Sequence, residues 1–514
     1  LCQFYGDICF MSHTLIQDAL FTAKSVRELD HLAIEEQGIP GIVLMKRAGR
    51  AVLSELLDAF GTPSLISVFC GSGNNGGDGY IVAALAAEKN IAVRCFEMGG
   101  SLSADTALAK QFAEQANVSF YAIDKGIELD QGVVVDSLLG TGFSGDLRQP
   151  CADVIRLINE SGLPVVAVDI ASGLNSDTGA VHSIAVQADI TLTFIGAKQG
   201  LFSGRGPAVS GEVIYDSLDV EDDIFQQVDA SAELMDLHDL LEQLPEPEVD
   251  AYKTQRGHSM VVGGDHGFGG AAIMAAEACL KVGAGMASVA TRPEHVAGVL
   301  ARQPEIMACG VTSGQQLEPL LERPTVLVVG PGLGRSPWSE QLMQKAVAAN
   351  LPMVIDADGL NILAEGRVVP KPDGSQWVLT PHMGEAARLL GLTVAEIQAD
   401  RFSAVAKLQQ KYNAVVLLKG PGTLISSLQG VPIKVCPYGN PAMATAGMGD
   451  ILSGIIGGLM AQGLSPQLAT ELGCCLHSSA ADLAAAEKGA RGMVASDLLP
   501  YIRDLLNNVG QESL

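Results

Sequence analysis

The chain has 514 residues, a formal net charge of −26 and 48% apolar residues. That length is too great for one ordinary core and implies two or more domains. The charge repels nucleic-acid backbones and anionic membrane surfaces, which excludes both as general partners.

Residues 1–19 read as an N-terminal extension. LCQFYGDICF is apolar but short, with no basic region and no small-residue cleavage site, so it makes a poor signal peptide; Met11 is a candidate start. The ten cysteines include no C-x-x-C pair. In a long, core-rich chain they read as reduced thiols in a cytoplasmic setting. The vicinal Cys474 and Cys475, with His477 nearby, read as small core residues of a helix, because no ligand spacing supports a metal site.

Residues 20–220 open with two helical patterns, SVRELDHLAIEEQ and GIVLMKRAGRAVLSELLDAF. Short apolar runs then alternate with amphipathic segments: LISVFC, IAVRCFEM, GVVVDSLLG, PVVAVDI and DITLTFIG, with helices such as GYIVAALAAEKN and ADVIRLINESG between them. Near-continuous apolar strands separated by helices predict a Rossmann-like, doubly wound parallel sheet. From Asp216 to Asp250 there are thirteen acidic residues and no Lys or Arg. This segment, taken as 221–250, is expected to be an exposed acidic linker with some helix in it. Residues 251–508 repeat the α/β style, with strands expected at HSMVVGG, MASVAT, TVLVVGPG, PMVIDAD, AVVLLKG, TLISS and PIKVCP. Long helices are expected at GAAIMAAEACLKVG, VAEIQADRFSAVAKLQQKY and QLATELGCCLHSSAADLAAAEKG. The apolar run ILSGIIGGLMAQGL is shorter than a bilayer and reads as a buried core helix.

In an open parallel sheet, ligands sit at the carboxyl ends of the strands. Three polar motifs of the first half fall there: the Gly73–Gly79 loop of CGSGNNGGDGY, DSLLGTGFSGDLRQP from Asp136, and DIASGLNSDTG from Asp169. Consecutive glycines let backbone N–H groups approach an anion, and two such loops suit a diphosphate. Asn75, Asp136 and Ser172 offer oxygen ligands suited to a hard cation, and Asp169 is a strand-end carboxylate free for acid–base work. Taken singly, each motif also reads as an ordinary turn.

GSGNNGGDGYIVA, with the two later motifs, resembles the NAD(P)H-hydrate epimerase family over roughly residues 20–220. The resemblance implies that Asn74, Asn75, Gly76, Gly77, Asp78, Gly140, Thr141, Gly142, Phe143, Ser144, Gly145, Asp146 and Asp169 hold the hydrated dinucleotide. It implies potassium on Asn75, Asp136 and Ser172. Asp169 is the candidate acid–base group, with Lys125, Asp146 or a bound water as alternatives.

In the second half, Gly447, Gly449 and Asp450 open a long apolar helix, and LLKGPGT follows a strand. Glycines at a helix N-terminus make an anion hole, and an Asp inside it can take a proton from a hydroxyl that attacks a phosphoryl group. Neither motif is a Walker A loop. Alone, GMGD also reads as a capped, small-residue helix start.

Together the two motifs resemble the ribokinase-like superfamily. With YKTQRGHSMVVGG, GPGLGRS, DADGLN and TPHMGEAARLL they resemble ADP-dependent NAD(P)H-hydrate dehydratase. The resemblance implies a ribokinase-like α/β domain. Ala272, Gly334, His382 and Asp450 would contact the hydrated nucleotide, Lys419, Gly420, Pro421, Gly422, Thr423 and Gly449 would hold ADP, and Mg2+ would neutralise its phosphates. Asp450 is the candidate catalytic base. The sequence departs from the family at Met383, where Pro is usual, at Gly359, where Ala is common, and in TAGMGD, where a run of glycines is usual.

The implied protein is a cytoplasmic, bifunctional repair enzyme acting on NADHX and NADPHX, with self-association expected by the same resemblance. The alternatives are a ribokinase-like small-molecule kinase with a nucleotide-sensing first domain, and a first domain that only binds a partner.

Overall fold

The computed structural model describes residues 18–123, 126–143, 145–245, 249–250, 252–368, 376–428 and 430–507. It forms two compact units, divided between Glu233 and Leu234.

The strands of the first unit are β1 (Ala19–Phe21), β2 (Ile66–Cys70), β3 (Val93–Glu97), β4 (Ser119–Ala122), β5 (Val133–Ser137), β6 (Val165–Val168), β7 (Ile190–Phe194), β8 (Ala197–Lys198) and β9 (Glu212–Asp216). Its helices are α1 (Ala23–Glu35), α2 (Gly41–Phe60), α3 (Asn74–Glu88), α4 (Ala104–Gln115), α5 (Gln149–Ser161) and the single turn α6 (Gly206–Val209).

Seven strands make one parallel sheet in the order β4-β3-β2-β5-β6-β7-β9. From β2 the chain builds outward through β3 and β4, and from β5 it builds the other way. The order therefore reverses between β2 and β5, and the crevice beyond their carboxyl ends is the switch point where ligands bind. The core follows from the two-residue period of a strand. Ile66, Val68 and Cys70 pack with residues of α2 and α3, whereas Phe69 joins Val134, Ile155 and Ile158 on the other face. Both faces are thus covered, which is why these strands read as continuous apolar runs.

The second unit begins in the short β10 (Ala232–Leu234) and α7 (Leu237–Glu242). It continues through β11 (His258–Val262), α8 (Gly269–Lys281), β12 (Met286–Thr291), α9 (Val296–Arg302), β13 (Met307–Gly310), α10 (Gly314–Leu317), β14 (Val326–Val329) and α11 (Pro337–Ala348). Then come β15 (Met353–Ile355), α12 (Ala357–Ala364), β16 (Trp377–Leu379), α13 (Met383–Leu390), α14 (Val394–Ala399), α15 (Arg401–Tyr412), β17 (Val415–Leu418), β18 (Thr423–Ser426) and β19 (Ile433–Cys436). The helices α16 (Met448–Ala461), α17 (Pro466–Lys488) and α18 (Leu498–Asn507) close the unit. Its strands run β13-β12-β11-β14-β15-β16-β17-β18-β19, parallel as far as β17 and antiparallel thereafter.

Three expectations change. The acidic residues from Glu221 to Asp223 are exposed, but the segment is no free linker. Ile224 and Val228 join the first unit's core, and Leu237, Leu240 and Leu241, spaced for one helix face, join the second unit's. The helix expected over 394–412 is two helices, because Asp400 leaves helical geometry and its carboxylate caps α15 by accepting from the Ser403 N–H at 2.8 Å. The short strand β16 was not expected; three residues are too few to show a period.

Helices α8 and α16 approach so closely that Gly454 and Gly458 are required. A Cβ on Gly454 would run into the Ala275 carbonyl, and one on Gly458 would meet the Cys279 backbone at 2.7–2.8 Å. The expected cost of Gly454→Ala is about 3 kcal/mol of overpacking, checked by denaturant unfolding. Among the described residues no helix is long and apolar enough to cross a membrane.

Candidate active sites

The first site lies at the switch point of the first unit. The stretch expected as a loop from Gly73 to Gly79 is instead mostly helix, since α3 starts at Asn74. Glycines make this possible: side chains at Gly76 and Gly79 would collide with the Gly71 carbonyl and the Ser137 hydroxyl. The first turn of α3 can therefore sit directly on the strand ends, with its unpaired N–H groups and positive dipole end facing the crevice. Asn74, Asn75, Gly76, Gly77 and Asp78 all lie in its first turns. Gly140, Thr141, Gly142 and Phe143 form a turn beyond β5, closed by the Phe143 N–H donating to the Gly140 carbonyl at 3.1 Å. Gly140 faces Asn75: a Cβ there would stand 3.1 Å from the Asn75 Cβ. Gly145 and Asp146 are exposed. Ser144 and Lys125 lie outside the described residues.

The three residues expected to bind a cation converge. Asp136 is fully buried; its Oδ1 accepts from the Ser172 hydroxyl at 2.7 Å and its Oδ2 from the Ser172 N–H at 2.8 Å. Asn75 turns its amide Nδ2 to the Leu139 carbonyl at 2.9 Å, leaving its buried Oδ1 with no hydrogen-bond partner. The Leu139 N–H donates to the Ser172 hydroxyl at 2.9 Å, so one short segment ties all three together. Burial pushes the Asp136 carboxyl up to about 6, against the Ser172 hydrogen bonds that lower it. An orphan amide oxygen, a buried carboxylate and a hydroxyl are a donor set that fits a hard monovalent cation.

Asp169 follows β6 with a left-handed backbone, φ 67°. Asp is among the few residues that tolerate this conformation, and such strain gathers where side chains must be aimed. The sequence reading did not single out its partner. Lys198, in β8, is 1% exposed, and its ammonium donates to Asp169 Oδ1 and, at 2.9 Å, to the Phe194 carbonyl. Asp30 of α1 faces the same pair, and burial raises its carboxyl to about 6. The only signal for Lys198 was a lone basic residue just past an apolar strand, too common a pattern to act on.

The second site gathers at the carboxyl ends of β15, β16 and β17. Asp356 is 1% exposed and accepts from the Lys419 ammonium at 2.8 Å and from the Ser453 hydroxyl at 3.1 Å. Gly447, with φ 93°, opens α16 in a conformation suited to glycine. Gly449 lies against this pair: a Cβ there would stand 3.3 Å from Lys419 Nζ and 3.4 Å from Asp356 Oδ2. Asp450 is in the first turn of α16. Burial and the neighbouring Asp356 push its carboxyl up to about 7, against the pull of Lys419. Burial works to lower Lys419, but Asp356 and Glu385 outweigh it and the ammonium is held charged.

Lys419, Gly420, Pro421, Gly422 and Thr423 turn between β17 and β18. Arg401, buried in α15, donates to the carbonyls of Leu418 at 3.2 Å, Gly422 at 3.0 Å and Pro421. These bonds hold the loop's carbonyls on the protein side, and the Lys419 N–H donates to the Pro381 carbonyl at 2.9 Å, so the backbone of the turn is fixed where it leaves β17. In the sequence Arg401 is one residue of the helical pattern VAEIQADRFSAVAKLQQKY and carries no local sign of this role.

His382 caps α13, its Nδ1 accepting from the Gly384 N–H at 2.9 Å while Glu385 accepts from the His382 N–H at 2.8 Å. This box fixes the turn at Met383 without the proline usual there in the family. Burial, then Lys419 and Arg388, lower the His382 imidazole. Gly334 donates its N–H to Asp358 at 2.9 Å. Ala272, 1% exposed in α8, lies beside the Gly264 turn. Cys474, Cys475 and His477 are buried in α17.

A family model described as "NAD(P)H-hydrate dehydratase" matches residues 259–504, and one described as "YjeF-related protein N-terminus" matches residues 41–200. The bifunctional NAD(P)H-hydrate repair enzyme of Coxiella burnetii is 45% identical over 490 residues, covering 95% of this chain and 99% of that protein. The enzyme of the same name from Escherichia coli is 38% identical, covering 96% of this chain and 95% of its own. Among solved structures, the ADP/ATP-dependent NAD(P)H-hydrate dehydratase from Bacillus subtilis, co-crystallised with ATP and Mg2+, is 25% identical over 53% of this chain and 97% of its own, with a TM-score of 0.48.

Proposed function

This chain belongs to the family of bifunctional NAD(P)H-hydrate repair enzymes, and we propose how its two units divide the epimerase and dehydratase work. The observation that carries the dehydratase half is the convergence of Asp450, Gly449 and the Lys419–Asp356 pair at the start of α16. ADP lies with its phosphates on the Lys419–Thr423 loop and the Gly449 N–H. Asp450 takes the proton from the C6 hydroxyl of (S)-NAD(P)HX as that oxygen attacks the β-phosphoryl group, releasing AMP. The ring-nitrogen lone pair then expels phosphate from C6. Loss of a proton from C5 returns the electron pair and restores NAD(P)H. Magnesium, when bound with the nucleotide, would neutralise charge on its phosphates. Gly334 and His382 border the hydrated ring.

In the first unit, the α3 N-terminus and the Gly140–Phe143 turn hold the diphosphate of either hydrate, and Asn75, Asp136 and Ser172 would hold potassium. The ring nitrogen expels the C6 hydroxyl as an acid protonates it. Water adds to the opposite face and gives its proton to a base. Asp169 is the acid–base group at the strand end. The buried, unpartnered Asn75 Oδ1 supports the potassium assignment. Ser172→Ala is expected to raise the potassium needed for half-maximal epimerisation by about 10-fold or more, measured by titration with dehydration as the unaffected control.

The chain works as a homo-oligomer in the cytoplasm on this reading. Eight described cysteines are free thiols, seven of them buried, which suits a reducing compartment. Light scattering tests the association.

The deciding experiment supplies mixed (R)- and (S)-NADHX with ADP, magnesium and potassium, and follows NADH by absorbance. Complete conversion is the expected result. No NADH with either ADP or ATP, or accumulation of a stable phosphorylated product, overturns the dehydratase assignment in favour of a small-molecule kinase.

A further inference from the structure

Inversion at one carbon needs an acid–base carboxylate that is held aimed at the reacting face while it takes and gives a proton. Lys198 meets that need from beneath. Its ammonium is sealed from solvent and contacts Asp169 Oδ1 and the Phe194 carbonyl at 2.9 Å. The Phe194 N–H donates to the same carboxylate oxygen at 3.3 Å. One carboxylate oxygen is therefore tied from β7 and β8, on a residue whose backbone is already left-handed. A buried ammonium costs several kcal/mol to desolvate and is retained only with a partner. Asp169 is that partner, and its side chain is still 18% exposed toward the crevice.

The other charged groups around this pair are Asp30 on α1, with Arg27 beside it, and Asp78 on α3. Three carboxylates share one sealed ammonium, and only Asp169 touches it. Burial pushes Asp30 up to about 6 and Asp78 well above the carboxylate range.

We propose that Lys198 is the positioning residue of the epimerase centre, whose buried ammonium pins the Asp169 carboxylate in place. This rests on the assignment of inversion to the first unit.

The test uses the full chain and compares Lys198→Met and Asp169→Asn with the parent on mixed hydrates. The second unit consumes the (S) fraction first, so the slow phase reports inversion of (R). In Lys198→Met the slow phase is expected to fall about 100-fold, in kcat rather than in KM for the (R)-hydrate. The acid limb of its pH profile moves to higher pH, because a carboxylate without an adjacent cation protonates more easily. The fast (S) phase stays at the parental rate. Potassium should still raise the melting temperature of both variants, since Asn75, Asp136 and Ser172 are untouched, and this shows that the unit is folded. Should Lys198→Met lose that response, Lys198→Arg replaces it: retained charge should leave the profile at its parental position, and a displaced profile overturns the proposal. A parental slow phase and pH profile in Lys198→Met, beside an inactive Asp169→Asn, also overturns it. Parental inversion in Asp169→Asn defeats instead the assignment on which it rests.

Discussion

Asp450→Asn should abolish dehydration while leaving inversion untouched. The carboxylate stands in the first turn of α16, beside the Lys419–Asp356 pair and next to Gly449, where no side chain fits without meeting that pair. Asn keeps the size and the hydrogen-bonding reach but cannot take a proton. The expected loss is the contribution of a positioned general base, about 10²–10⁴-fold in kcat, with the KM for ADP little changed because the loop at Lys419–Thr423 is intact. The same residue sets a pH dependence. Its carboxyl is raised to about 7 by burial and by Asp356, against Lys419. Asp450 must be ionised to act, so kcat/KM for the (S)-hydrate falls as pH drops through about 7. At a pH one unit lower about a tenth of the rate is expected to remain. A flat profile between pH 6 and 8, or an Asp450→Asn enzyme with parental turnover, would show that another group takes the proton.

Asp169→Asn is the counterpart in the first unit. The (S)-hydrate is converted at the parental rate, and the remaining (R)-hydrate then disappears only as fast as it epimerises in buffer. The loss in enzyme-catalysed inversion is expected to reach about 10²-fold or more. Stability is expected to fall by about 3 kcal/mol as well, because Asn still accepts from Lys198 and the Phe194 N–H but leaves the buried ammonium without an opposite charge, so rates are compared well below the variant's melting temperature. Phase amplitudes measured from mixtures of known (R) to (S) ratio check the result. A slow phase at the parental rate would remove Asp169 from the chemistry and leave it a structural partner of Lys198.

Much of this was legible in the sequence because periodicity and small residues are local signals. The near-continuous apolar runs LISVFC and GVVVDSLLG predict a doubly covered parallel sheet, and the glycines that open α3 and α16 mark where backbone can come close to a ligand. Asn75, Asp136, Ser172, Asp169 and Asp450 could be singled out because each follows a strand or opens a helix. The acidic segment was harder to read. Its charge announced exposure, while its burial rested on Ile224, Val228, Leu237, Leu240 and Leu241, whose partners lie elsewhere in the chain.

The sequence by itself determined the two α/β units, the strand-end placement of the polar motifs and the family resemblance, since these depend on residue order and spacing. Only the tertiary structure decided which distant charges meet. Lys198 joins Asp169 across 29 positions, Lys419 joins Asp356 across 63, and Arg401 turns toward the carbonyls on either side of Lys419 from a separate helix. A parallel sheet brings together strand ends that are far apart in the chain. An ion pair formed there has no sequence period, and burial, which gives it its strength, is set by the packed elements around it.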